Sequence, residues 1–185
     1  MDYIKINGKR VAIGQDTLYL ESFKINRIID IKRLKRCSTL RGLYLEKNNI
    51  KTIEGLERLV NLRKLHLEAN YITEIQGLDS LINLIELELK GNEISKISGL
   101  NKLTELQHLD LSRNKIRSLE GLKNLLKLER LDLSDNEIEI IPDFMKSLSS
   151  LKYLDLSSNP IRNDPNNTKI LNEMKDNGVE IILNN

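Results

Sequence analysis

Three consecutive outward-facing positions carry the residue types of a hydrolytic triad. His108, Asp110 and Ser112 stand at every second position of the chain. On a strand such residues point to one side, and positions two apart are separated by about 6.5 Å. His108 and Ser112 would then be about 13 Å apart with the carboxylate between them, whereas a nucleophile must reach its base within a hydrogen bond. The residue types are right but their order is wrong, so we expect no enzymatic activity.

The two histidines of the chain, His66 and His108, could also bind a metal ion. They lie two turns apart in the repeat described next, a separation of about 10 Å by strand spacing. That distance is too long for one ion with bonds of about 2 Å. His66 beside Glu88 would be a weak site at best, so we predict neither a metal ion nor a cofactor.

A repeat must position these residues. Asparagine returns every 22 residues five times and then once after 23, and Leu106, Leu109, Leu111, Asn114 and Ile116 show the frame around it most clearly. Leucines two apart predict a short strand with one buried side, and apolar residues three apart in the later part predict a loose or 3₁₀ return. A buried amide side chain can donate to and accept from neighbouring turns. The asparagines are Asn26, Asn48, Asn70, Asn92, Asn114, Asn136 and Asn159.

This frame resembles the leucine-rich repeat proteins, in the class with 22-residue repeats found in a regulatory subunit of protein phosphatase 1 and in the internalins. The Ile-x-Gly-Leu element at Ile53–Leu56, Ile75–Leu78 and Ile97–Leu100 supports that class. The resemblance implies an α/β fold: a right-handed solenoid with a concave parallel β-sheet and a convex side of loops and 3₁₀ turns. It also implies protein binding, with a phosphatase or a GTPase as partner classes known in the family.

Length and composition predict a single domain, 1–185, with modified ends. Residues 1–17 form an N-terminal cap, in which Asn7 and Gly8 predict a type I′ hairpin turn. Seven repeats occupy 18–161. The C-terminal cap, 162–185, contains a predicted helix, Thr168–Asn177, and a strand, Val179–Leu183.

Aligning all turns on the asparagines also predicts details of packing. The first repeat is degenerate, and its outward positions become Leu20, Ser22 and Lys24. Cys37 falls where other turns place leucine, which predicts a buried, reduced core residue. One extra residue in the turn after Pro142 predicts a short helical segment that buries Ile141 and Phe144.

The outward strand positions are free for function. A Leu-Asp-Leu-Ser segment occurs three times and contains Asp110, Asp132 and Asp155. We interpret these aspartates as a common feature of the repeat without a binding role, and the alternative is an acidic strip that binds a basic partner. The residues that depart from this repeat pattern are the predicted partner-binding set, which includes aromatic residues of the kind enriched at interface hot spots. The set is Tyr44, His66, Glu86, Glu88, His108, Arg130 and Tyr153.

Charge separates the two ends of the chain although the net charge is only +2. Residues 1–61 hold 13 Lys and Arg against 7 Asp and Glu, a net +6, which leaves a net −4 for the rest. Much of the excess lies in a basic cluster, which could meet nucleic acid or an anionic membrane. The cluster lacks interleaved aromatic residues, so a solvated convex face is favoured. Its members are Lys32, Arg33, Lys35, Arg36 and Arg41.

The sequence therefore predicts a non-catalytic module that binds a protein partner on its concave face, as adaptor, scaffold or regulatory subunit. Anion binding through the basic cluster is the alternative. We expect a monomer that uses neither nucleic acid nor membrane as its partner. Met1 to Arg10 contain no apolar run, so we expect no signal peptide or membrane anchor and a cytoplasmic location.

Overall fold

The computed structural model describes residues 3–6 and 8–183 and has the predicted α/β solenoid architecture. Seven short strands of the described chain repeat along the solenoid, and they are followed by one helix and a last strand. Most returns on the convex side are irregular, with 3₁₀ turns at Ile28–Asp30, Leu34–Arg36, Glu120–Leu122 and Asp143–Ser147. The repeating strands are β3 Thr17–Tyr19, β4 Gly42–Tyr44, β5 Lys64–His66, β6 Glu86–Glu88, β7 His108–Asp110, β8 Arg130–Asp132 and β9 Tyr153–Asp155.

The parallel sheet places equivalent residues of successive turns beside one another. Its strand order follows the chain from β3 to β9, and β10 (Glu180–Ile182) adds the last strand beside β9. The central leucines pair in register, as in Leu43 with Leu65 and Leu65 with Leu87. Since side chains alternate along a strand, these leucines face the core and the flanking residues face the concave side.

Buried asparagines connect the turns, as their spacing predicts. Asn92 Nδ2 donates to the carbonyl oxygens of Leu67 at 3.0 Å and Leu89 at 2.9 Å, and Asn92 Oδ1 accepts from the Ile72 amide at 2.9 Å. The same pattern of bonds recurs around Asn48, Asn70, Asn114, Asn136 and Asn159. Each amide satisfies backbone groups at the bend where the strand ladder ends.

The predicted alignment of the first turn is wrong by three residues. Leu18 pairs with Leu43 and Tyr19 with Tyr44, so 25 residues separate these strands rather than 22. Leu20 is fully buried instead of outward, and Asn26 is exposed instead of joining the asparagine ladder. Burial of Leu18 and Leu20 on the core side of one strand decides the register, which moves Phe23 into the place that asparagine takes in later turns.

An antiparallel hairpin caps the N-terminal end. β1 (Tyr3–Ile6) pairs with β2 (Lys9–Ala12), and Ile4 and Ile6 are buried against the first turn. Backbone hydrogen bonds of 3.2 Å in both directions join Lys5 to Lys32. Gly8 has φ +78°, a left-handed conformation that glycine favours. Asn7, the other residue of the predicted turn, lies outside the described residues.

The C-terminal cap is a helix that begins earlier than predicted. Helix α1 spans Pro165–Asp176 because Asp164 Oδ1 accepts from the amides of Asn166 at 2.8 Å and Asn167 at 2.9 Å, and proline is well suited to the first helical turn. Ile170, Leu171 and Met174 of this helix are buried, and Asn167 Oδ1 accepts from the Ile141 amide at 2.9 Å. The helix therefore continues the hydrogen-bonding role of the asparagine ladder at the last turn.

Two predicted core positions differ from the structure. Cys37 is half-buried at the edge of the core, and its Sγ lies 3.5 Å from the Arg33 carbonyl oxygen. In the 3₁₀ turn Asp143–Ser147 the fully buried residue is Met145, whereas Phe144 is only partly buried against the core; Ile141 is buried as predicted. Among residues 3–6 and 8–183, no helix is long and apolar enough to cross a membrane.

Candidate functional site

All seven predicted partner-binding residues lie on the concave face, in two adjacent columns. Each strand contributes the residue before and the residue after its central buried leucine. One column reads Thr17, Gly42, Lys64, Glu86, His108, Arg130 and Tyr153. The other column reads Tyr19, Tyr44, His66, Glu88, Asp110, Asp132 and Asp155.

Three rings stack along the second column. Tyr19 and Tyr44 have ring centroids 4.6 Å apart at an interplanar angle of 24°, and Tyr44 and His66 have centroids 4.5 Å apart at 51°. Tyr19 is 65% exposed and stands at the end of this stack. Sequence reasoning missed Tyr19 because Ser22 was placed in its column, although the alternation of Leu18 and Leu20 could have shown the register.

Three glutamates surround His66, whose side chain is only 16% exposed. Its Nε2 lies 2.8 Å from Glu86 Oε1, and its Nδ1 lies 3.5 Å from Glu46 Oε1 and 3.6 Å from Glu68 Oε1. Glu86 also accepts a 2.6 Å hydrogen bond from Lys64. Burial opposes ionisation of Glu86, but the hydrogen bonds from Lys64 and His66 outweigh it and lower the pKa of that carboxyl.

The next strand adds Glu88, which makes the middle of the face rich in carboxyl groups. Burial, together with the charges of Asp110, Glu68 and Glu86, raises the pKa of Glu88 to about 8. Burial also raises the pKa of Glu68, against the hydrogen bond from its own backbone. Burial and the neighbouring negative charges together therefore favour the protonated form of Glu88 near neutral pH.

Arg130 and Tyr153 form a separate group near the C-terminal end. The Arg130 guanidinium lies 3.8 Å from the centroid of the Tyr153 ring, a cation–π contact. The Tyr153 hydroxyl donates to Asp155 Oδ2 at 3.3 Å. His108 lies between the two groups, in register with Glu86 and Arg130. The predicted set therefore spans six strands, β4 to β9, with most of its residues clustered around His66.

The aspartates of the Leu-Asp-Leu-Ser segments have a local structural role. Oδ1 of Asp110 accepts from the Ser112 amide at 2.8 Å, and the equivalent bonds at Asp132 and Asp155 measure 3.0 and 2.9 Å. These Asx turns fix the chain as it leaves each strand. Ser112 itself is only 1% exposed, so the row of His108, Asp110 and Ser112 does not present an accessible nucleophile beside a base.

The basic cluster lies at the opposite side of the N-terminal turns. Lys32, Arg33, Lys35 and Arg36 are exposed and line a groove of about 550 Å³, together with Arg58. Arg41 is not part of that groove, and its Nε lies 3.9 Å from Asp16 Oδ2. Arg33 also stacks over the Tyr3 ring of the hairpin, 4.5 Å from its centroid. The structure thus brings together four of the five predicted anion-binding residues and adds Arg58.

Stacked turns, a parallel inner sheet and a buried asparagine ladder define a solenoid repeat protein. Sequence-family models agree: one described as "Leucine Rich repeats (2 copies)" matches residues 38–80 and 82–124, and one described as "Leucine rich repeat" matches 118–161. The chain belongs to the leucine-rich repeat family. No curated protein sequence matches it.

Solved structures show the same architecture. An internalin of Listeria monocytogenes, InlF, has a TM-score of 0.77 and 25% identity over 87% of this chain, which spans 45% of that chain. Internalin C2 of the same species has a TM-score of 0.68 and 27% identity, covering 91% of this chain and 80% of its own. A TLR13–ssRNA13 complex has a TM-score of 0.65 and 30% identity over 79% of this chain and 22% of that chain. Leucine-rich repeats are generally protein-interaction modules, and the partner of each member depends on its own surface.

Proposed function

We propose that this protein is a non-catalytic module that binds a protein partner through its concave face. The observation that carries the proposal is the ring stack of Tyr19, Tyr44 and His66 beside a concentration of carboxyl groups. Aromatic side chains in a curved, rigid sheet give contact area with little loss of conformational entropy on binding. The module would act as an adaptor, scaffold or regulatory subunit, as a monomer in the cytoplasm.

The charge of this face favours a partner with a basic segment. Glu46, Glu68 and Glu86 surround His66 on this face, and the raised pKa of Glu88 reflects its burial and the charges of Asp110, Glu68 and Glu86. A lysine or arginine placed among them would relieve that repulsion, which would favour association and increase its rate. Such binding would also lower the pKa of Glu88 and release a proton near neutral pH. A phosphatase or GTPase with such a segment is the first class to screen.

The test compares capture of partners from native lysate by three forms of the chain. Tyr44→Ala with Glu88→Lys changes the proposed surface. Tyr71→Ala is the matched control, because Tyr71 is a tyrosine outside the strands and, at 50% exposed, is more accessible than the half-buried Tyr44. A protein captured by wild type and by Tyr71→Ala, but lost with the concave variant, supports the proposal, provided that circular dichroism shows all three folded. Equal capture by all three would exclude the concave face.

Anion binding at the basic cluster is the second candidate, favoured by the groove that Lys32, Arg33, Lys35, Arg36 and Arg58 share. Lys32→Glu with Arg36→Glu tests it. Because TLR13 is found in a complex with ssRNA13, single-stranded RNA is a reasonable first ligand, with anionic vesicles as the second. Binding that is lost in the variant and falls steeply with salt would transfer the function to this end of the molecule.

A further inference from the structure

His66 and two glutamates bring three metal-ligating atoms together on the concave face. Nδ1 of His66 lies 3.5 Å from Glu46 Oε1 and 3.6 Å from Glu68 Oε1, and one ligand atom from each of the three residues lies within 4.8 Å of the others. In a tetrahedral site with bonds of about 2.1 Å, neighbouring ligand atoms are about 3.4 Å apart. Two of the three separations already match that geometry, and a small rotation of either carboxylate would complete it.

The hydrogen bond on the far side of the ring prepares Nδ1 to act as a ligand. Glu86 Oε1 lies 2.8 Å from His66 Nε2, and the same carboxylate accepts from Lys64. An ionised carboxylate can only accept, so Nε2 carries the proton, and the neutral ring then has its lone pair on Nδ1. A carboxylate on the other ring nitrogen is the usual support of a metal-binding histidine.

The second oxygen of each glutamate carboxylate in this three-residue group lacks a hydrogen-bond donor within the described part of the chain. Glu46 Oε2 and Glu68 Oε2 are buried and have no hydrogen-bond partner among the described residues. The two side chains are only 20% and 26% exposed, so water compensates little of the cost of burying their charge. The Nδ1 lone pair, facing two carboxylates, adds a further repulsive contact. A cation among these three residues would remove both penalties.

We propose that Glu46, His66 and Glu68 bind one divalent transition-metal ion of the zinc or manganese type. One imidazole nitrogen with two carboxylate oxygens suits these ions, whereas calcium and magnesium favour sites made of oxygen alone. Three protein ligands leave a coordination position that faces the concave side. Water or a side chain of a bound partner would occupy that position. The proposal goes beyond the proposed function and does not depend on it.

The test is calorimetric titration of the full, tag-free chain with zinc chloride and, separately, with manganese chloride. The Cys37→Ser background removes the one thiol of the sequence. We expect one ion per chain. Glu68→Gln, which keeps the size and shape of the side chain, and His66→Ala should each weaken binding by more than about tenfold, and Glu86→Gln by about 10–100-fold through loss of ring orientation.

His108→Ala is the matched control, because it removes the other concave histidine without touching the proposed ligands. It should bind the metal as wild type does. The proposal is overturned if wild type binds neither ion. It is equally overturned if Glu68→Gln and His66→Ala bind like wild type, or if His108→Ala loses as much as they do. Partner capture after treatment with a chelator tests the proposed function separately, so that either idea can fail alone.

Discussion

Replacing one asparagine of the ladder should remove a large fraction of the stability of this protein. Asn92 lies in the middle of the solenoid and is 7% exposed. In Asn92→Ala the Ile72 amide loses its 2.9 Å hydrogen bond to Oδ1 and becomes a buried donor without a partner. The Leu67 and Leu89 carbonyl oxygens lose one donor each but keep another, from Asn70 and Asn114 respectively.

The expected loss in free energy of unfolding follows from the difference between one unpartnered amide and two partly satisfied carbonyls. A buried polar group left without a partner costs about 1–3 kcal/mol, and two partly satisfied carbonyls add about 0.5 kcal/mol each. The total is about 2–4 kcal/mol, against a stability of about 5–15 kcal/mol for ordinary domains. Asn92→Asp keeps the acceptor for Ile72 but directs a carboxylate at two carbonyl oxygens. At neutral pH, Asn92→Asp should therefore lose more free energy of unfolding than Asn92→Ala.

Urea unfolding followed by circular dichroism measures the change in the free energy of unfolding. Asn83→Ala is the matched control, because Asn83 is exposed and its amide makes one 2.9 Å hydrogen bond to the carbonyl of Val60 in the preceding turn. That variant should lose less than about 1 kcal/mol. If Asn92→Ala and Asn83→Ala lose equal amounts, the ladder does not act by satisfying buried backbone groups and this reasoning is wrong.

Three further perturbations test other parts of the structure. Gly77→Ala should lose more stability in urea unfolding than Gly91→Ala, although the two glycines have similar φ angles of +69° and +66°. A Cβ at Gly77 would lie 2.5 Å from the Ile53 carbonyl oxygen, whereas the atom nearest to a Cβ at Gly91 would be 3.8 Å away. Glu88→Gln should stabilise the chelator-treated protein above neutral pH. The folded-state pKa of Glu88, about 8, lies above its value in the unfolded chain, so the wild type loses stability as pH rises between these two pKa values. The loss should be about 1–2 kcal/mol after solvent screening is allowed for. Asp164→Ala should remove the cap of helix α1 and lower the free energy of unfolding by about 0.5–2 kcal/mol, with increased amide exchange in that helix.

Each of these three predictions has an outcome that would contradict it. Equal losses at the two glycines would show that the close approach at Gly77 relaxes without cost. A flat difference between wild type and Glu88→Gln from pH 5 to 9 would mean that Glu88 ionises normally in the folded protein. Unchanged amide exchange in Asp164→Ala would show that packing alone holds the start of the helix.

The repeat made most of the fold predictable from sequence. Leucines two apart and an asparagine five residues after the first of them, as in Leu109, Leu111 and Asn114, specify the strand, its buried side and the bend that follows. Because consecutive turns are nearly identical, local patterning alone fixes the parallel register of β4 to β8. The placement of Tyr44 beside His66, and of His66 beside Glu88, follows from the same spacing.

The ends of the solenoid were less predictable, because capping contacts replace the repeat there. Tyr19 lies in the concave column because burial of Leu18 and Leu20 sets a separation of 25 residues between the first and second turns. Helix α1 began at Pro165 because Asp164 supplied two hydrogen bonds, which the apolar pattern alone did not reveal. The domain boundaries at these caps remain predictions.

The amino-acid sequence by itself determined the class of fold, the concave face and the columns of residues that share it, since all three depend on spacing along the chain. Only the tertiary structure decided which atoms meet. The sequence places Glu46, Glu68 and Glu86 near His66, but the side-chain rotamers set which ring nitrogen each carboxylate approaches and which oxygens are left without a donor. The pKa of Glu88 likewise depends on burial and on charges from neighbouring strands. Both are properties of distances in space, which a one-dimensional pattern does not contain.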